Sequence, residues 1–212
     1  MKIGVLVEGE AEFRSLPFLL PRLESPHQVL SPLRCTLHPR ANPAQIALAA
    51  SKRFPILLDR GAEFIVVLFD KETRQDCTVE LVRAVEREAR IRLQELSSTV
   101  KLQVVLKVTM FENWLIADPE ALRELKGLFE NVDRIEKRVV TGRADAVDAL
   151  NLLKACSRQR IYDKPEGSIA ICKRLNTTRA AENSRSFRKF LKALGVPQKE
   201  SQPRRPSSRG RR

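Results

Sequence analysis

Five carboxylates stand where the chain turns from apolar to polar, and that placement suits them to hold a cation. Glu8 follows the short apolar run Lys2–Val7. Asp70 follows the run FIVVLF at Phe64–Phe69, with Glu72 two residues on, and Glu112 lies just past Leu102–Val108 in FENWLIAD. Glu12 comes four residues after Glu8, so one helical turn returns it to the same side. Hard cations such as Mg²⁺ or Mn²⁺ take oxygen ligands, and carboxylates supply both the oxygens and the balancing charge. Acids gathered this closely repel one another, so their proximity makes sense with a cation between them. Taken singly, each reads as a helix cap or a solvated loop residue, which is the reading for Glu10, Glu80 and Glu86. The joint pattern, VEG after one apolar run and acid-x-acid after another, is what points to metal.

Other chemistries find less support. Among 8 glycines there is no GxxxxGK[ST] loop and no GxGxxG, so nucleotide binding of those kinds is not indicated. No Gly-x-Ser-x-Gly elbow occurs, and a Ser–His–Asp site would have to recruit His27 or His38, neither in a suggestive context. Cys35, Cys77, Cys156 and Cys172 form no CxxC pair, which argues against zinc and against a disulfide framework. Trp114, the single tryptophan, reads as a packing residue.

The elements that must position these acids follow from periodicity. Lys2–Val7, Arg34–Leu37, Phe64–Phe69 and Leu102–Val108 read as strands, and the continuous apolar character of Phe64–Phe69 is that of a strand covered on both faces. Between them lie helices. One starts at Glu10, with Phe13, Leu16, Leu19 and Leu20 at helical spacing and Pro17 expected to kink or restart it. The next runs from Ala44 to Leu58 behind the cap Asn42-Pro43. The third covers Thr78–Leu96, with Val79, Val82, Val85, Ala89 and Leu93 on one face. This β-α-β-α-β-α-β order predicts an α/β fold with a mostly parallel sheet flanked by helices. In such sheets sites form at the carboxyl ends of strands, and the first and third strands should be neighbours if Glu8 and Asp70 share one. Further on the chain is helical: from Asp118-Pro119 to Phe129, over Ala144–Cys156, and over Ser184–Leu194 closed by Gly195. Residues 130–143 are charged and read as a loop.

A chain of 212 residues suits one domain, here 1–197, with a core over 1–118 and a helical extension over 119–197. The formal charge is +13, of which the tail Gln198–Arg212 supplies +5, leaving +8 on the body. A basic body serves either polyanion binding or solubility. The tail has no apolar residue to bury and reads as disordered, either as a nucleic-acid arm or without a role. No stretch approaches the ~18 apolar residues of a membrane span, and no signal peptide is legible. A reducing cytoplasm is the simplest location.

At these residues the chain resembles a TOPRIM domain, a Rossmann-like fold with a glutamate after its first strand and an acid-x-acid pair after its third. Glu8, Asp70 and Glu72 match in order and context, although the second acid of the pair is usually aspartate. A closer resemblance is to a TOPRIM-like bacterial family of unknown function, often encoded beside ABC/SMC-type ATPases in phage-defence loci. It rests on Val7-Glu8-Gly9 with Glu12, on Phe111-Glu112 with Trp114 to Asp118, and on Tyr162, Lys164, Gly167, Ile169-Ala170 and Ser184 to Leu191. The similarity covers nearly everything but the tail.

The nearest characterised relatives this implies are the TOPRIM nucleases of the overcoming-lysogenisation-defect group. They hold two metal ions with two acids four apart, an acid pair, a further glutamate and a lysine. Carried over, these roles fall on Glu8 and Glu12, on Asp70 and Glu72, on Glu112, and on Lys164. The expectation is a Mg²⁺- or Mn²⁺-dependent nuclease acting on DNA, partnered by an ABC/SMC-type ATPase in antiviral defence; self-association is compatible with it. Glu8, Asp70, Glu72 and Lys164 form the expected catalytic set. Arg179, Arg185, Arg188 and Lys189, near a helix start, are candidates to hold the phosphate backbone or are a solvated helix face. The alternative is a non-catalytic partner or sensor subunit that binds an ATPase or nucleic acid, with Glu72 marking a decayed site.

Overall fold

Alternation along three apolar runs decides how the sheet is buried. The computed structural model describes residues 1–38, 40–71, 77–139 and 142–198. In it, five parallel strands form one sheet: β1 (Lys2–Val7), β2 (Gln28–Val29), β3 (Leu33–Arg34), β4 (Phe64–Asp70) and β5 (Lys101–Lys107). β1 pairs with β4 from Ile3↔Phe64 to Val7↔Leu68, and β4 with β5 from Phe64↔Lys101 to Asp70↔Lys107. The first and third expected strands are therefore neighbours. β2 and β3 are two short pieces of one edge, laid against the start and the end of β1. The expected strand Arg34–Leu37 is corrected to these two pieces. β1 ends at Val7, whose carbonyl accepts from the Cys35 amide, so no ladder is left for Thr36 and Leu37 to join.

One face of the sheet carries Ile3, Val5, Val7, Val66, Leu68 and Val105; the other carries Leu6, Ile65, Val67, Phe69, Val104 and Leu106. Both are buried, as a parallel sheet requires, and each buried aliphatic or aromatic side chain contributes roughly 1.5–3 kcal/mol. The second face is covered by α2 (Pro43–Ser51), α3 (Phe54–Asp59) and α4 (Thr78–Glu95), the first by α1 (Glu10–Leu19) and the helices that follow β5.

Several helices differ from expectation in instructive ways. α1 runs unbroken through Pro17, and its buried stripe is Ala11, Glu12, Ser15, Leu16 and Leu19, which leaves Phe13 exposed. The Asn42–Gln45 capping box starts α2 as expected, but the helix stops at Ser51 and α3 restarts with Pro55 in its first turn. α4 buries Leu81, Val85, Ala89 and Leu93, while Val79 is exposed.

Beyond β5 come α5 (Glu112–Leu115), α6 (Pro119–Glu124), α7 (Asp133–Val139), α8 (Ala149–Cys156), α9 (Lys164–Cys172), α10 (Thr177–Asn183) and α11 (Arg185–Ala193). The expected loop over 130–143 contains α7, because Val132, Ile135 and Val139 lie at helical spacing and are buried. The helix expected to reach Phe129 ends at Glu124. Asp118 does not cap it through its side chain. Its fully buried carboxylate instead accepts from the Asn176 amide (2.7 Å) and from Arg179 Nε (2.6 Å) and Nη2 (3.1 Å), tying α10 to the chain before α6. Among the described residues, no helix is long and apolar enough to cross a membrane.

Candidate functional site

The order β2/β3–β1–β4–β5 reverses direction between β1 and β4. Connections leave those two strands toward opposite edges, so a crevice opens at their carboxyl ends, where open α/β sheets place ligands. Glu8 and Asp70 flank it.

Glu8 leaves the end of β1 and reaches across to β4, where its Oε2 accepts from the Asp70 amide at 2.9 Å. Gly9 then turns the chain into α1. A Cβ on Gly9 would stand 2.2 Å from Glu12 Oε2, so any larger residue here would push that carboxylate out of its place. This is the physical content of the VEG-x-x-E pattern. Glu12 is almost fully buried and pairs with Lys107. Lys107 Nζ also contacts Asp70 Oδ1 at 2.9 Å and stands 5.7 Å from the centre of the Phe111 ring.

The turn after β5 brings in the last acid. Thr109, β-branched yet at φ 74°, is held by a hydrogen bond from its Oγ1 to the Asp145 carbonyl (3.1 Å). Asn113 anchors α5 by donating Nδ2 to the Ala144 and Val147 carbonyls (2.7 and 2.8 Å) while its Oδ1 accepts from the Met110 amide. Glu112, almost fully buried, meets Lys164 Nζ at 3.1 Å; that lysine opens α9 and is about half exposed.

Burial pushes the Lys107 ammonium down to about 7, opposed by the charges of Glu8 and Glu112. Its direct contacts with Glu12 and Asp70 weigh further toward the charged form. Neighbouring thiols respond to the same setting: burial, then Glu8, pushes Cys35 up to about 12.

Of the residues expected from sequence, Glu8, Glu12, Asp70, Glu112 and Lys164 thus gather at one end of the sheet. Glu72 lies outside the described residues, as does the tail from residue 199 on. Arg185 and Lys189 are exposed on α11 and Arg188 half-buried, whereas the Arg179 guanidinium is held by Asp118. Glu10 pairs with Arg34 on the surface. Glu86, expected to be merely solvated, accepts from the Val104 amide at 2.9 Å and satisfies a donor on the outer edge of β5.

Sequence reasoning missed Lys107. Its signal was available: a lysine closing the apolar run LQVVLK, in phase with Val105, at the same strand ends as the acids. A fully buried ammonium there requires carboxylate partners.

Apart from Lys164, the motif residues from Tyr162 to Leu191, with Trp114, serve as scaffold. Trp114 Nε1 donates to Ser186 Oγ at 2.7 Å, and its ring stacks on Phe190 at 5.0 Å. Asp145 gathers Ser184 Oγ (2.7 Å), Ser186 Oγ (2.8 Å) and the Ser186 amide (2.9 Å). Gly167 lies against the Tyr162 ring, where a Cβ would meet Cε2 at 2.4 Å, and the Tyr162 hydroxyl bonds to Ser168 Oγ at 3.0 Å.

By donor chemistry the acids fit a hard divalent cation. Among the described residues, the four carboxylates exceed the two ammoniums by two formal charges. By geometry, Lys107 already bridges Glu12 and Asp70, and no three acids among the described residues converge as a ready ligand set.

Residues 7–195 match the family described as Domain of unknown function (DUF4276). The chain belongs to this family. No curated protein and no solved structure matches it. The family match spans the VEG turn, the FENWLIAD segment and the Ser184–Leu191 motif, so the charged strand ends and the scaffold behind them both fall inside it.

Proposed function

We propose that the chain is a divalent-metal-dependent nuclease of TOPRIM-like type that cleaves phosphodiester bonds in DNA. The observation that carries this reading is the gathering of Glu8, Glu12, Asp70 and Glu112 around Lys107 and Lys164 at the switch in strand order. Glu8, Asp70 and Glu112 would hold Mg²⁺ or Mn²⁺, with Glu72 joining them by sequence. When bound, such an ion supplies a Lewis acid for the phosphate and a lowered pKa for water. Lys164, half exposed and bound only to Glu112 among the described residues, would turn toward a phosphate and offset its charge. Arg185, Arg188 and Lys189 on α11 offer cations to the backbone, while Arg179 serves to hold α10. The resemblance supports an ABC/SMC-type ATPase of a phage-defence system as the partner.

The test pairs Mn²⁺ binding with plasmid nicking, for the wild type and Asp70→Asn. Mn²⁺-dependent nicking that disappears in the variant is the expected result. Equal nicking by the variant, or nicking indifferent to metal, overturns the reading. One observation favours the second class of function, a non-catalytic partner or sensor: Lys107 already bridges Glu12 and Asp70 without any metal. On that reading neither protein nicks DNA.

A further inference from the structure

We infer that Lys107 is a built-in counter-cation that takes the place of one of two metal ions, so that this site binds a single divalent ion. The inference rests on the metal-dependent reading above and narrows it. Glu12 on α1 and Asp70 at the end of β4 are the pair that an ion lying between these two elements would have to bridge. Lys107 bridges them already.

Its ammonium cannot readily step aside. The side chain is fully buried, its backbone is locked in the ladder opposite Asp70, and Phe111 stands beside the ammonium. A divalent ion on the same oxygens would sit within a few ångströms of that ammonium, where like charges in a water-poor setting repel strongly.

The other acids are differently placed. Glu8 is held by a backbone amide, a neutral donor. Glu112 is held by Lys164, whose half-exposed side chain can swing into solvent. Lys107 therefore withdraws Glu12 and one oxygen of Asp70, and an ion sharing Asp70 would draw on Glu8 and Glu112, whose partners can be displaced.

The experiment counts bound Mn²⁺ per full-length chain by electron paramagnetic resonance, for the wild type, Lys107→Met and Lys107→Arg. The expected counts are one, two and one. Two ions on the wild type overturn the inference while leaving the metal-dependent reading intact. One ion on a folded Lys107→Met chain also overturns it, because removal of the ammonium then frees no position. No ion on any of the three removes the metal-dependent reading and the inference together. Should Lys107→Met fail to fold, the wild-type count alone decides.

Discussion

Two groups of carboxylates, all buried except the partly exposed Asp70, lie on the same face of this sheet, and they are satisfied in different ways. Asp145 and Asp118 sit among the C-terminal helices and are held by amides, hydroxyls and, for Asp118, a guanidinium. Glu12, Asp70 and Glu112 sit at the strand ends and face ammonium groups. The first kind of donor is fixed by the fold and tells a helix where to start, as Ser184 and Asn176 do for α11 and α10. The second kind is a point charge: at Glu112 it is the half-exposed Lys164, which another cation can replace, and at Glu12 and Asp70 it is the buried Lys107, which stays. Burial of an acid therefore does not mark a site; the chemistry of its donors does.

Asp145→Ala breaks the comparison hardest. It leaves the Ser186 amide and two serine hydroxyls without their acceptor and loosens Trp114 through Ser186, for a loss of about 3 kcal/mol or more. Urea unfolding reads the loss, and Mn²⁺ stabilisation of whatever remains folded is expected to persist.

Asp70→Asn is expected to do the reverse. Its stability without metal stays within about 1 kcal/mol of the wild type, since relief among like charges offsets a weakened contact with Lys107. Its metal response is what changes. At Mn²⁺ a hundredfold above the dissociation constant the wild type gains about 2.7 kcal/mol, and the variant loses that gain. Thermal melts with and without Mn²⁺ separate the two.

Gly167→Ala tests the scaffold without touching a charge. The added methyl must displace the Tyr162 ring, at a cost of roughly 1–3 kcal/mol, again with Mn²⁺ binding retained.

The smallest effect concerns thiols. Cys35, Cys156 and Cys172 are buried, and burial raises each thiol, Cys35 and Cys172 to about 12, so at neutral pH they stay protonated and unreactive. A disulfide reagent should label one thiol of the native chain, the exposed Cys77, and all four after unfolding. Glu8→Gln removes only the lesser push on Cys35 and should leave that count at one.

Much of this was legible in the residues themselves. Short continuous apolar runs identified β1, β4 and β5, and their alternation with helices identified the parallel sheet, because a strand covered on both faces is apolar throughout. Acids placed directly after such strands had to emerge at one edge. The Asn42-Pro43 start of α2 was local chemistry, readable without any neighbour. What the sequence could not decide was which side chain meets which. α1 turns Glu12 inward and Phe13 outward because its buried stripe is chosen by the sheet beneath it, not by its own hydrophobicity. Asp118 abandons its own helix for an amide 58 residues away. Lys107 becomes the centre of the charged edge only because three elements, β5, β4 and α1, close around it. Periodicity is a property of the local backbone and survives in a string of letters. The pairing of buried charges is set by the low-dielectric space that folding creates, and that space exists only once the chain has packed.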